Sequence, residues 1–460
     1  MMVSLKQKFF YGETSFALWD IVSKAIGLLN TFFILKSLSL YEYGVFQLLL
    51  SGYAFISNFT SPAGNAVGND ISRLIGERRE PEAKKLFWEY NRLRILGGGI
   101  LCLVAFFGSY LFLFKYDYNF IINLQLLAVI TMLEILFTTL KAVLRLRLFF
   151  GQVASRSTFY KVAQLIFLSA SYFFFNLGTT EVLWSMIAGS LLSSLLLVPV
   201  VARAYGPWRG LAMSNQKFLI PILKSQGKWE IFSVGFSKLS TYFQPWITKI
   251  LINTEAVAIF SIAQTMLGTI YSFFPTKTIS ALVPLKMEDK ELIQRVYTIA
   301  VKYLVFFGVA CGLVALVLSG PVIRQFFEQY TVSLPYFYAL LPIIPVTAAS
   351  LVTSAFLVAH RKQKFLFLEK ILKSAIGIPL YFILLPLFDI WGLVAQSLIV
   401  SVVLFSVMYF YTVKWQVGIK LELRRILSFG AEDREFVKKF MESTVNFIKL
   451  KFRFLRNNLT

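Results

Sequence analysis

The chain has little of what most catalytic or metal-binding sites are built from: two cysteines and one histidine in 460 residues. Cys102 and Cys311 each sit inside an apolar run, so neither a disulfide framework nor a thiolate metal site is available. His360 stands alone, which excludes a multi-histidine metal site and a histidine-based triad. No Gly-x-x-x-x-Gly-Lys-Ser/Thr stretch is present to cradle nucleotide phosphates, so ATP hydrolysis by that route is excluded too. Acids are also scarce, 24 Asp and Glu against 46 Lys and Arg, and this imbalance has a position-dependent meaning.

What the chain does have is apolar length. Hydrophobic residues make up 57% and aromatics 17%, with a mean hydropathy of +0.67, more than a soluble domain of this size buries. Taking about 20 residues to cross the hydrocarbon core, spans are predicted near 14–35, 44–66, 93–114, 120–141, 157–177 and 180–202, then 230–252, 256–278, 296–319, 333–358, 367–387 and 390–413. Lys and Arg concentrate in every second gap; the first such gap holds Arg73, Arg78, Arg79, Lys84, Lys85, Arg92 and Arg94. The intervening gaps are short and carry Glu42, Asp117, Glu181, Glu255, Glu328 and Asp389. Such one-sided positive charge places both termini in the cytoplasm. The formal net charge of +22 therefore faces anionic lipid rather than nucleic acid. The first span follows a short leader with Lys6 and Lys8 and no small-residue cleavage site, so no cleaved signal peptide is predicted.

The predicted fold class is all-α: a polytopic membrane protein of about 12 transmembrane helices in two six-helix lobes around a central cavity, N-in and C-in. The lobes are 1–202 and 230–414, joined by a cytoplasmic loop over 203–229 and followed by a basic tail over 415–460. Each half opens alike. Ser23-Lys24, Lys36, Glu42 and Tyr43-Gly44-Val45-Phe46 are matched by Ser237-Lys238, Lys249, Glu255 and Val257-Ala258-Ile259-Phe260, which suggests an internal duplication. Six spans per copy relate the repeats by an axis along the membrane normal. In the tail, Phe436, Val437, Phe440, Val445, Phe447, Ile448, Phe452 and Leu455 recur at helical spacing among lysines and arginines, the pattern of an amphipathic helix on the inner leaflet. Lipid anchoring is its plainer role; recruitment of cytoplasmic partner enzymes is the other.

Ionisable residues within spans are costly and so point to function. Asp20 and Lys24, four apart on the first span, share a helical face and can form an ion pair. Lys238, Tyr242, Pro245 and Lys249 share a face of the seventh span, and the two lysines stand about 16 Å apart along the axis. Lys24 and Lys238 are candidates for binding an anionic group. Lys249 is either a third cation of that site or a side chain that snorkels to the interface. Glu134 is either a proton-coupling site or the partner of Lys141 or Arg145. Asn30, Gln47, Gln244, Gln264 and Tyr271 are candidates for contacts with sugar hydroxyls, against the commoner role of bonding to neighbouring helices. Pro245, Pro275, Pro342, Pro345 and Pro379 each remove a helical hydrogen bond and are expected at bends. Gly64 and Gly68 are placed at the end of the second span, where they permit close packing.

Ser23-Lys24-Ala25-Ile26-Gly27 followed by Leu38-Ser39-Leu40-Tyr41-Glu42-Tyr43-Gly44-Val45-Phe46 resembles the start of polysaccharide and O-antigen flippases of the multidrug/oligosaccharidyl-lipid/polysaccharide exporter superfamily. Ala258-Ile259-Phe260-Ser261-Ile262-Ala263, Pro321-Val322-Ile323 and Leu393-Val394-Ala395-Gln396 fall where those proteins have similar short patterns. The resemblance covers everything before the tail and rests on the order of degenerate motifs. It implies alternating access at the plasma membrane of a bacterium or archaeon, a cationic cavity containing Lys24 and Lys238, and a polyprenyl-pyrophosphate-linked glycan as substrate. It implies no cofactor and no catalysis; membrane lipids and other polysaccharide-assembly proteins are the implied partners. A cation-coupled multidrug exporter of the same superfamily is the alternative, with acids rather than lysines central. A membrane-bound glycan polymerase or ligase needs catalytic residues in outer loops, where Arg324 and Glu328 are the only cluster.

Overall fold

A computed structural model describes residues 5–60, 63–112, 114, 117–147, 149–274, 290–359, 363–410, 428 and 430. The predicted tail helix, His360 and Pro275 lie outside the described residues. Among the described residues every regular element is helical. In chain order the α-helices are α1 (Leu5–Ser37), α2 (Leu40–Phe59), α3 (Gly64–Gly76), α4 (Glu80–Gly108), α5 (Tyr118–Leu146), α6 (Phe150–Phe174), α7 (Thr179–Leu195) and α8 (Val198–Tyr205). They continue with α9 (Leu219–Ile222), α10 (Lys228–Leu251), α11 (Thr254–Ser272), α12 (Lys290–Phe326), α13 (Leu334–Leu340), α14 (Ile343–Ala359), α15 (Gln363–Phe388) and α16 (Ile390–Val407).

Among the described residues, five stretches are long and apolar enough to cross a membrane unbroken: those of α4, α5, α12, α15 and α16. Two more qualify as bent pairs, α7 with α8 at 42° and α13 with α14 at 58°. Pro199 in the first turn of α8 and Pro342 between α13 and α14 lack the amide a continuous helix needs, so two predicted single spans are broken ones. Pro245, Pro321, Pro379 and Pro386 stand inside helices. The other long helices are α1, α2, α6, α10 and α11. Phe173, Phe174 and Phe175 are 72%, 80% and 73% exposed. Three adjacent bare phenyl rings are costly in water and natural in hydrocarbon.

The predicted second span ends earlier than expected. α2 stops at Phe59, Ala63 takes a left-handed conformation (φ 57°), and α3 follows as a separate helix. Gly64 and Gly68 therefore belong to the start of α3, not to the end of a span. A side chain at Gly68 would meet nothing within 4 Å. α3 buries Val67, Ile71 and Leu74, four and three apart, against α4.

The chain forms two compact units: 1–268 with 316–340 and 367–400, and 269–315 with 341–366 and 401–460. In the first, α1 packs along α6, α6 on α7, α5 on α4 and α7, and α2 on α10. One buried cluster gathers Leu38, Tyr43, Leu49, Phe120, Leu127, Leu168, Val182 and Tyr330. Another gathers Leu86, Phe87, Leu144, Val201 and Trp208. In the second unit, the Tyr297 and Thr353 hydroxyls lie 3.0 Å apart and Tyr297 stacks edge-on to Phe356. Gly308 leaves room there for Ile344 and Phe274.

The turn from α1 to α2 shows why Leu38–Phe46 has its sequence. Ser39 and Glu42 form a reciprocal capping box. The Leu38 carbonyl, left over at the end of α1, accepts from the Tyr330 hydroxyl at 2.6 Å and the Gln329 amide at 2.8 Å. Gly44 lies so close to the start of α11 that a Cβ there would fall 2.2 Å from the Thr254 carbonyl oxygen. The turn before α11, similar to this one in sequence, is capped by Asn253, which accepts from the Ala256 amide at 2.7 Å. The two turns that look alike in sequence thus touch each other.

The segment 205–219 is clamped to α4. Glu80 accepts both guanidinium nitrogens of Arg147, at 3.0 and 3.1 Å, and also the Trp208 indole N–H. Lys84, buried, donates to the Leu211 carbonyl at 2.7 Å. Glu89 accepts the backbone N–H groups of Phe218 and Leu219 at 3.2 and 3.1 Å, and Trp88 donates to the Tyr205 hydroxyl at 2.9 Å.

Candidate functional site

The candidate site lies where α1 meets α6. Lys24 and Asp20 form an ion pair of 2.9 Å, both about 40% exposed. The helix beside them contributes a cation that lacks an obvious place in the sequence pattern. Lys161 of α6 donates to the Ser23 carbonyl at 2.9 Å and lies within electrostatic range of Asp20 and Lys24. Its ammonium rests over Gly27, where a Cβ would stand 2.8 Å from Nζ. Ser23 and Ser157 hydroxyls lie 3.1 Å apart, and Thr158 donates to the Trp19 carbonyl. One turn along α1, buried Asn30 donates to the Lys161 carbonyl and the Gln164 amide oxygen, both at 3.1 Å. Its own Oδ1 is buried without a partner among the described residues. This polar seam holds two ammonium groups and one carboxylate.

A second charged group lies at α5, α6 and α7. Glu134 pairs with Arg156 at 2.7 Å and accepts from the buried Ser190 hydroxyl at 3.2 Å. Its partner comes from the next helix and is neither Lys141 nor Arg145. Arg156 also lies 3.9 Å over the Phe137 ring, and its Nε is buried with no partner among the described residues. Lys141, Tyr53 and Tyr160 lie within electrostatic range of this pair, and Arg145 within range of Lys141. Arg94 of α4, 3% exposed, donates to the Ile135 carbonyl at 2.7 Å. Among the described residues, Lys24, Lys161, Lys141, Arg156 and Arg94 thus stand against the carboxylates of Asp20 and Glu134 in these two groups and beside them.

The remaining candidates are scattered. Lys238 stands on α10, but its side chain lies outside the described residues. Two residues on, Ser240 is buried against Tyr381 and the Gly377 backbone, with Gln396 beside them. Lys249 lies 5.8 Å from the Phe120 ring, a cation–π contact at the far end of α10. Gln47 bonds Tyr43, Gln244 is buried, Gln264 is exposed, and the Tyr271 hydroxyl lies 3.2 Å from that of Thr347. Asn30 and Gln47 thus bond other helices or their own, the commoner role of such groups. Lys161, Arg156 and Gln164 were not among the predicted site residues.

No protein-family model and no curated protein matches the sequence. Solved structures do match its fold. The lipid II flippase MurJ in an inward closed conformation aligns with a TM-score of 0.69 at 14% identity, over 97% of this chain and 99% of that one. An inward-facing multidrug resistance MATE family transporter of the MOP superfamily aligns at 0.66 and 14%, over 85% and 98%. A MOP superfamily transporter from Pyrococcus furiosus, described by the reverse polarity of its binding pocket, aligns at 0.59 and 13%, over 87% and 95%. The chain shares the fold of these structures, an all-α multi-pass membrane fold.

Proposed function

We propose that this protein carries a polyprenyl-pyrophosphate-linked oligosaccharide from the inner to the outer leaflet of a bacterial or archaeal plasma membrane, for polysaccharide export. The observation that carries this reading is the positive surplus inside its helices: Lys24 and Lys161 against Asp20, and Arg156 and Lys141 against Glu134. Cations are rarely left in surplus within a membrane unless an anion visits. A glycan cannot cross hydrocarbon unaided, because each hydroxyl would lose its hydrogen bonds. In this reading the halves 1–202 and 230–414 act as the two lobes of an alternating-access transporter with both termini cytoplasmic. Lysines hold the pyrophosphate as point charges while the polyprenyl tail stays in lipid.

The competing reading is a cation-coupled multidrug exporter, favoured by Glu134 and Asp20 as interior acids and by the fold shared with MATE transporters. Complementation of a flippase-null polysaccharide strain separates the two. Wild type is expected to restore surface glycan, and Lys24→Ala and Lys238→Ala, at equal membrane expression, to lose it. Failure of well-expressed wild type in a host with the matching glycan, together with resistance to cationic compounds, points to the exporter.

A further inference from the structure

Lys161 has an unusual seat. A lysine that merely snorkelled would extend toward an interface; this one is drawn across to α1, where it donates to the Ser23 carbonyl and lies over Gly27. The glycine matters, because only a residue without a Cβ leaves that notch open. Ser23 and Gly27, both within the motif that opens the chain, therefore act from α1 on a side chain of α6. Among the described residues the ammonium makes one hydrogen bond, to the Ser23 carbonyl, and an ammonium has three N–H groups to donate. Next to it, Asp20 holds Lys24 at 2.9 Å. Two cations share one carboxylate, and that carboxylate is half open to its surroundings.

We infer that Lys161 and Lys24 together form the phosphate-binding pair of the proposed substrate site, and that Asp20 is the internal anion which the substrate's phosphate displaces. The inference rests on the pyrophosphate reading above and adds to it a residue on α6, a seat on Gly27 and a competitor. Asp20 keeps the lysines from remaining as bare charges in lipid when the site is empty. It also weakens binding, which favours release. A diphosphate carries more charge than one carboxylate and takes over both lysines. A neutral or cationic ligand cannot displace Asp20, so the same arrangement selects for anionic headgroups.

The test is equilibrium binding of a radiolabelled polyprenyl pyrophosphate to the full-length protein in nanodiscs, with inorganic pyrophosphate as competitor. Lys161→Gln and Gly27→Ala are each expected to weaken binding about tenfold or more, as loss of a charge-assisted contact does. Gly27→Ala changes no charge and moves only the end of a flexible side chain. Asp20→Asn is expected to tighten binding about tenfold, and Lys161→Arg to retain most of it, which excludes misfolding as the cause of the Gln phenotype. Inorganic pyrophosphate should displace the lipid from wild type; if it does not, phosphate is not what the site reads and the inference falls. Wild-type binding in Lys161→Gln and Gly27→Ala alongside loss in Lys24→Gln would overturn the role of Lys161 while leaving the pyrophosphate reading intact. No binding of the lipid by wild type would sink the reading itself and the inference with it.

Discussion

At the scale of single residues, the membrane interior makes each charge answerable to a partner, and the spacing of those partners decides what a sequence reveals. Asp20 and Lys24 are four apart on one helix, so their ion pair is legible. Lys161 and Arg156 find theirs on α1 and α5, 138 and 22 residues away in sequence. No periodicity encodes such pairs; the only available signal is a charge within an otherwise apolar run, which Lys161 gives inside the predicted span 157–177 and Arg156, one residue before it, does not. The Glu134–Arg156 pair yields a test that also bears on coupling. Arg156 is largely buried, and removing its carboxylate leaves a cation over a phenyl ring. Breaking a buried pair from one side costs about 3 kcal/mol. Glu134→Gln should therefore lower the melting temperature of the detergent-purified protein, and adding Arg156→Gln should recover part of the loss in a double-mutant cycle. Wild-type stability of Glu134→Gln would show that Arg156 does not depend on the carboxylate, and would return Glu134 to consideration as a proton site.

At the scale of elements, helix ends and breaks carry more information than helix middles. The Ser39–Glu42 capping box and the Asn253 cap are local chemistry, which is why the two halves look related at those turns and little elsewhere. What the hydropathy profile does not reveal is how positively charged gaps fold. The gap after the second span becomes α3 and the start of α4, and 206–219 is held on α4 by Glu80, Lys84 and Glu89. Those contacts join residues over 120 apart, so composition reads the segment as a loop. Glu80 is the hub, since Arg147 and Trp208 both end on it. Glu80→Ala removes two charged hydrogen bonds and an indole bond together, and should let this segment open about tenfold more often or beyond. Limited trypsin digestion at Arg209 and Lys217, both exposed, measures this directly. An unchanged cleavage rate would mean that Lys84 and Glu89 hold the segment without Glu80.

For the molecule as a whole, composition settles the solvent, and a surplus of lysine and arginine shapes the energetics of any transported anion. The apolar spans are legible because hydrocarbon requires about 20 apolar residues whatever the function. Two of them are broken at bends beside prolines, and the polar contacts of the candidate site join α1 to α6 and α5 to α6 and α7. If the cargo is a pyrophosphate-linked glycan, the membrane potential does work on it. With the inside negative, each negative charge moved outward gains about 2.3 kcal/mol per 100 mV, enough to accelerate export without a coupled ion. Proteoliposomes loaded with a fluorescent lipid-linked oligosaccharide, and polarised with a potassium gradient and valinomycin, should therefore flip it faster than unpolarised ones, with no sodium or proton gradient present. Reversing the sign of the potential should slow the same movement. If the potential has no effect and flipping starts only when a sodium or proton gradient is imposed, then the drive is chemical, and Asp20, Glu134 and Glu369, the last within a candidate span, are the carboxylates to neutralise first.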